Sequence, residues 1–213
     1  MRTYALLVLM LVGCNRSSSL DPSFEGVISM RTTYADRGAQ EMTLQIKDGK
    51  TRFDTSGDDG KPIRGLYDAA ANRVTLFFEA DKAFTVLDLS SMSAGAPNTT
   101  PEASVASKTG KTQVIAGVKC EEWVAQEPSG KRSEVCVVEG VNFFDLQRLR
   151  SGAAADLGMP KGDKKMFALR SVEIDANGKE LSHMEVTKIE RTSLDSGRFE
   201  PPKDFQDLTP APK

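Results

Sequence analysis

The sequence of 213 residues contains a single histidine, His183, and a single tryptophan. A lone histidine in an alternating apolar–polar stretch beside Met184 forms neither a metal cluster nor a triad, because both need partner groups in a set arrangement. Aromatic residues make up only 7%, and the three tyrosines and one tryptophan do not gather into a platform for stacked bases. Neither sign of charge prevails. With 28 Lys plus Arg against 30 Asp plus Glu the balance is −2, and no basic run offers an electrostatic footprint for nucleic acid. No apolar run reaches the ~20 residues that a membrane-spanning helix requires.

Ligand motifs are missing as well. Gly110-Lys111-Thr112 ends like a phosphate loop, but the leading glycine five positions earlier is Val105. Asp54, Ser56 and Asp58 are spaced like the first ligands of a calcium loop, yet Asp59 stands where its glycine is required and Gly65 where its closing glutamate belongs. No metal, no cofactor and no catalytic activity are expected from these residues.

The N-terminus carries the strongest local signal. In MRTYALLVLMLVGC, Arg2 supplies a positive start and Ala5 to Val12 a short apolar core, the pattern of a signal peptide over residues 1–13. Leu11-Val12-Gly13-Cys14 resembles the bacterial lipobox, in which the cysteine thiol takes a diacylglycerol and the chain is cut just before it. The resemblance implies a lipid anchor on Cys14; two or three acyl chains, at ~0.8 kcal/mol per buried methylene, hold a protein stably at a membrane. Residues 14–22 read as a flexible tether. Asn15 follows the cysteine where an aspartate would resemble an inner-membrane retention signal, which points to the outer membrane, facing the periplasm.

With Cys14 taken by lipid, Cys120 and Cys136 remain as an even pair in an oxidising compartment. They flank Pro128-Ser129-Gly130 in a strand-turn-strand pattern. Pairing Val124 with Arg132 and Glu122 with Glu134 sets Cys120 opposite Cys136, where cross-strand neighbours come within disulfide reach. Redox and zinc sites want C-x-x-C spacing or histidine partners, so a structural disulfide is expected.

Period-two alternation runs through most of the remaining chain. Phe24, Ile28, Met30 and Tyr34 share one strand face, and Met42, Leu44 and Ile46 alternate against Glu41, Thr43, Gln45 and Lys47. Asp48-Gly49 marks a tight hairpin into a strand from Lys50 to Thr55. Further strands are expected at Val74 to Phe78, Ala83 to Leu89, Thr112 to Ala116, Lys165 to Asp175 and Lys179 to Glu190. In the Lys165–Asp175 strand Phe167 and Leu169 are out of phase with Val172 and Ile174, which predicts a bulge. Asn142 as cap with Phe143, Leu146, Leu149, Ala153 and Leu157 predicts one helix, stopped at Gly158-Met159-Pro160. Residues 90–106 are rich in Ser, Ala, Pro and Thr without any period. They fit an interdomain linker or a long mobile loop, and the small core on either side favours a loop within one domain.

The ordered set FEGVISMRT, IKDGKTRFDT, GKTQVIAGVKCEEW, MPKGDKKMFALRSVEIDANGKELSHMEVTKIE and RFEPPKDF resembles the bacterial envelope family designated domain of unknown function 4412, across Phe24 to Phe205. That family is in turn similar to the periplasmic lipoprotein carriers. The resemblance implies a mainly β, α+β fold: a strongly curved antiparallel sheet, an unclosed half-barrel with helix over its concave face, spanning residues 23–206 before a disordered tail at 207–213. It implies no catalytic residue. The expected function is a membrane-anchored envelope lipoprotein that binds an acyl chain or another apolar ligand on the sheet. Ile28, Met30, Met42, Leu44, Ile46, Leu76 and Phe78 are the candidate lining residues, although taken singly each reads better as a plain core residue. The alternative is a structural or protein-interaction module with a filled core.

Overall fold

The computed structural model describes residues 20–57, 60–89, 105–143 and 165–210. Alternating stretches build twelve strands: β1 (Gly26–Tyr34), β2 (Gly38–Lys47), β3 (Lys50–Ser56), β4 (Pro62–Asp68), β5 (Arg73–Phe78), β6 (Ala83–Asp88), β7 (Val105–Ile115), β8 (Val118–Gln126), β9 (Arg132–Glu139), β10 (Met166–Ile174), β11 (Glu180–Arg191) and β12 (Gln206–Asp207). They form one sheet in the order β12-β6-β5-β4-β3-β2-β1-β11-β10-β9-β8-β7, antiparallel except for the β12–β6 pair. β12 and β7 are its two edges and do not meet, so the barrel is unclosed.

Short turns explain most of the connections. Asp48 and Gly49 both take positive φ, 50° and 74°, which suits the right-handed twist of the β2–β3 hairpin. β4 escapes the alternation rule because it opens with a proline and holds Gly65 in its middle, two residues that weaken a strand signal.

The sheet is strongly curved. β3 lies five strands away from β9 in the sheet order, about 24 Å along a flat sheet at ~4.8 Å per strand. Yet the Thr51 hydroxyl on β3 donates to the carbonyl of Phe143, just beyond β9. Bulges supply the bending: pairings slip by one residue between β1 and β11, β10 and β11, and β9 and β10. The slip on β10 falls between Ala168 and Arg170, at the position where the sequence phase breaks.

The other face is covered in part by the chain after β11. Leu194, Phe199 and the half-buried Phe205 pack against Leu66 and Phe77. The Glu25 carboxylate accepts from the Leu194 N–H at 2.7 Å and from Lys47 at 2.8 Å, and the Lys47 ammonium also donates to the Leu194 carbonyl. Those donors, the Leu194 N–H first, hold Glu25 below the usual carboxylate range, while Glu25 raises Lys47.

Several expectations change here. Among the described residues helical structure amounts to two short 3-10 turns, Glu79–Asp81 and Ser196–Phe199, and the single helical residue Leu89, so no described helix covers the sheet. Asn142 and Phe143 are irregular, and the rest of the expected helix falls outside the described residues. The expected loop at 90–106 is likewise outside them up to residue 104, and its last two residues already belong to β7. The tail does not begin at 207: Asp207 lies in β12, the Leu208 N–H donates to the Phe84 carbonyl, and the Val86 N–H donates to Thr209. Of the tether expected at residues 14–22, residues 20–22 are part of the folded domain instead, and 14–19 lie outside the described residues. Leu20 is buried in the core, and Asp21 accepts from the Phe24 N–H and pairs with Arg191.

Candidate functional site: one apolar face of the sheet

Register places the apolar residues of the first strands in three parallel rows on one face. The first row runs Gly26, Ile46, Thr51, Tyr67, Val74 and Leu87 across β1 to β6. The second runs Ile28, Leu44, Phe53, Gly65, Leu76 and Thr85. Met30 and Met42 begin the third, which the paired Thr55 and Ile63 and then Phe78 continue, the Met42–Thr55 and Ile63–Phe78 steps each lying one residue beyond the ladder.

Gly65 interrupts the second row for a steric reason. A Cβ there would stand 2.2 Å from the Phe53 ring and 2.8 Å from the Thr75 carbonyl oxygen. The absent side chain leaves the space that the Phe53 ring occupies over β4.

From the other half of the sheet, Ile115, Val118, Cys120, Cys136, Phe167, Leu169 and Val186 join the same cluster. Ten of the twelve strands, all but β6 and β12, therefore contribute to one apolar cluster. Phe24, Phe143 and Phe167 link the two halves, with successive ring centroids 5.5 and 5.3 Å apart.

Polar groups on this face are few, and the buried Nε of Arg170 is left without a hydrogen-bond partner among the described residues. Glu122 is buried, and its carboxylate accepts from Thr109 at 3.1 Å and Gln113 at 2.9 Å, with Arg170 at 3.9 Å. These bonds clasp the slipped segment of β7 between Lys108 and Thr112. Among the described residues no group of three or more His, Cys, Asp or Glu side chains is placed to hold a metal. His183 sits between Glu180 at 3.7 Å and Glu185 at 3.5 Å, away from the rows. A separate polar cleft of about 410 Å³ lies at the β1–β2 turn, lined by Tyr34, Arg37, Gln40, Glu41 and Ser56 among others. Arg37 stacks there on the Tyr34 ring at 3.9 Å.

The candidate lining residues divide by depth. Ile28, Met30, Leu44 and Ile46 are buried in the cluster, and Met42 and Leu76 are half-buried against it. Phe78 differs: it is 43% exposed and stands at the end of the third row. As lining residues, sequence reasoning passed over Phe53, Tyr67, Val74, Phe143, Phe167, Leu169 and Val186. The phase of Thr51 and Phe53 in β3 could have placed Phe53, whereas Phe143 faces the sheet only because of curvature.

Cys14 lies outside the described residues. Cys120 and Cys136 are joined by a disulfide, with Cα atoms 5.4 Å apart. The ladder between their strands is two residues out from the expected one: Val124 pairs with Glu134, and Glu122 with Cys136. The cause is the turn. The Glu127 N–H donates to the Lys131 carbonyl, which centres a three-residue loop on Ser129 and sets Gln126 against Arg132. The last ladder pair is Glu121 with Val137, and the disulfide crosses it diagonally, from Cys120 just beyond it to Cys136 on the turn side.

Among solved structures the chain is similar to an uncharacterised conserved protein from Thermus thermophilus, at 11% identity and a TM-score of 0.51, over 92% of this chain and 93% of that one. A weaker likeness is to the MucA/MucB complex of Pseudomonas aeruginosa, at 11% identity and a TM-score of 0.46, over 87% of this chain and 58% of that chain. Another is to a LolA superfamily protein from Nitrosomonas europaea, at 12% identity and a TM-score of 0.36, over 87% and 93% of the two chains. No curated protein matches the sequence. The sequence model of the family described as domain of unknown function (DUF4412) matches residues 24–205, and the chain belongs to that family.

Proposed function

We propose that this protein is a non-catalytic lipoprotein of the bacterial envelope, anchored by acyl chains on Cys14 after removal of residues 1–13, whose domain over 20–209 holds an acyl chain against the apolar face of its curved sheet. One observation carries the reading: ten strands of a sheet that never closes pool their apolar side chains in one cluster. Because the sheet stays unclosed, strand pairing does not seal this face between β7 and β12. The lipobox supports the envelope location, and Asn15 supports the outer membrane. The disulfide agrees with an oxidising compartment.

Native mass spectrometry of the protein purified from a periplasmic expression host is the test. A co-purifying lipid that is lost on Leu44→Asp, with the fold retained, is the expected result; a bare protein that also refuses added fatty acids and phospholipids overturns it. Metabolic labelling with palmitate, lost on Cys14→Ser, checks the anchor separately.

A second reading, a protein-interaction module, is favoured by a different observation. β7 is an eleven-residue edge strand with no backbone partner on its outer side among the described residues, whereas the opposite edge is covered by β12. Open edges of this length accept an added strand. Lys108, Lys111 and the bulge between them, however, are devices that discourage such pairing, which ranks this reading second.

A further inference from the structure

The apolar face is not uniformly closed. In the second row Leu44 and Phe53 are buried and Leu76 is half-buried. Along the third row exposure climbs from Met30, which is buried, through the half-buried Met42 and Thr55 to Ile63 at 41% and Phe78 at 43%. Continuing the Arg64↔Phe77 pairing by one step sets Ile63 beside Phe78 on this same face. Two large apolar side chains thus stand in solvent at one corner, joined to the buried face without a charged residue between them.

Size and shape choose among occupants. The exposed parts of Ile63 and Phe78 offer on the order of 150 Å² of apolar surface. A stable protein partner needs ~800 Å² a side, so neither a second copy nor a globular partner is served by this corner. The exposed patch is one cross-strand pair wide, with Cβ atoms ~5 Å apart, and a single polymethylene chain laid over it covers that width. The route inward is also adaptable. Met30 and Met42 face each other across β1 and β2, and Met184 packs beside them against the cluster. Unbranched thioether side chains repack at small cost, which lets a chain slide in without moving strands.

We infer that the Ile63–Phe78 corner is the entrance by which a single aliphatic acyl chain reaches the apolar face, with Met42 and Met30 as the side chains that give way. This rests on the acyl-binding reading above. The probe is cis-parinaric acid, a linear fatty acid that fluoresces in apolar surroundings, added by stopped flow to the full-length protein in nanodiscs, with protein-free nanodiscs subtracted. Wild type is compared with Ile63→Asp/Phe78→Asp, with the milder Ile63→Asn/Phe78→Asn, and with Val114→Asp. Val114 is a 71% exposed apolar residue on β7, far from the corner, and serves as control.

Uptake at least tenfold slower in both corner variants, with wild-type melting and with Val114→Asp unchanged, is expected. Uptake at the wild-type rate in either corner variant overturns the entrance while leaving acyl binding intact. No uptake by any protein, wild type included, overturns acyl binding itself and the entrance with it.

Discussion

Replacing Gly65 by alanine tests the close packing on which the apolar face depends. The backbone at Gly65 has ordinary strand torsions, so any cost comes from space alone. The new methyl would stand 2.2 and 2.7 Å from two carbons of the Phe53 ring and 2.8 Å from the carbonyl oxygen of Thr75. Phe53 is itself 3% exposed and hemmed in by the cluster, and the carbonyl belongs to a paired strand, so neither neighbour retreats freely. Overpacking of this kind costs ~1–3 kcal/mol, and contact with backbone as well as ring puts Gly65→Ala near the upper end. For a domain of this size that lowers the melting temperature by about 6–12 °C.

The cause is separable by a double-mutant cycle in urea. Phe53→Ala alone costs ~3–5 kcal/mol as a core truncation. If the clash with the ring dominates, adding Gly65→Ala to it costs little more, and the coupling is about 2 kcal/mol. A Gly65→Ala variant within ~0.5 kcal/mol of wild type, or strictly additive costs in the pair, would refute the argument that Phe53 occupies the space a side chain would need.

Two further tests address the connections that hold the sheet. The disulfide spans 16 residues, so chain entropy predicts that Cys120→Ala/Cys136→Ala unfolds with about 3 kcal/mol less free energy, measured against oxidised wild type in urea; a loss under ~1 kcal/mol would mean that the β8–β9 ladder alone restrains this loop. Glu25 has a folded pKa below its usual 4.5, so its contribution is present above pH 4.5 and is lost as the pH falls through the folded value. Lys47, raised above 10.5, contributes below that pH and loses its contribution as the pH rises through its folded value. The stability gap between wild type and Glu25→Gln is therefore expected to be constant near neutrality and to close in acid, read from urea melts at about pH 7 and about pH 2.5. An equal gap at both pH values would show that the carboxylate charge does not hold the segment at Leu194.

Most strand positions, the Asp48-Gly49 hairpin and the break of phase on β10 were legible in the amino-acid order, because alternation, turn chemistry and bulges are properties of a few consecutive residues. The lipobox expectation rests on equally local spacing, and compartment chemistry was enough to identify Cys120 and Cys136 as disulfide partners. Register was harder. A single misplaced turn residue shifts a whole ladder, and the hydrogen bond between Glu127 and Lys131 decided it. β4 was hidden by Pro62 and Gly65, whose purpose is visible only when Phe53 is seen lying across the glycine. Above all, depth of burial belongs to the folded sheet. Ile28 and Phe78 are both apolar residues on the same strand face by alternation, yet curvature carries the first under the Phe24 and Phe143 side of the cluster and leaves the second at an open corner. That difference comes from contacts between residues far apart in the chain, such as Phe24 and Phe143, and local periodicity holds no record of them.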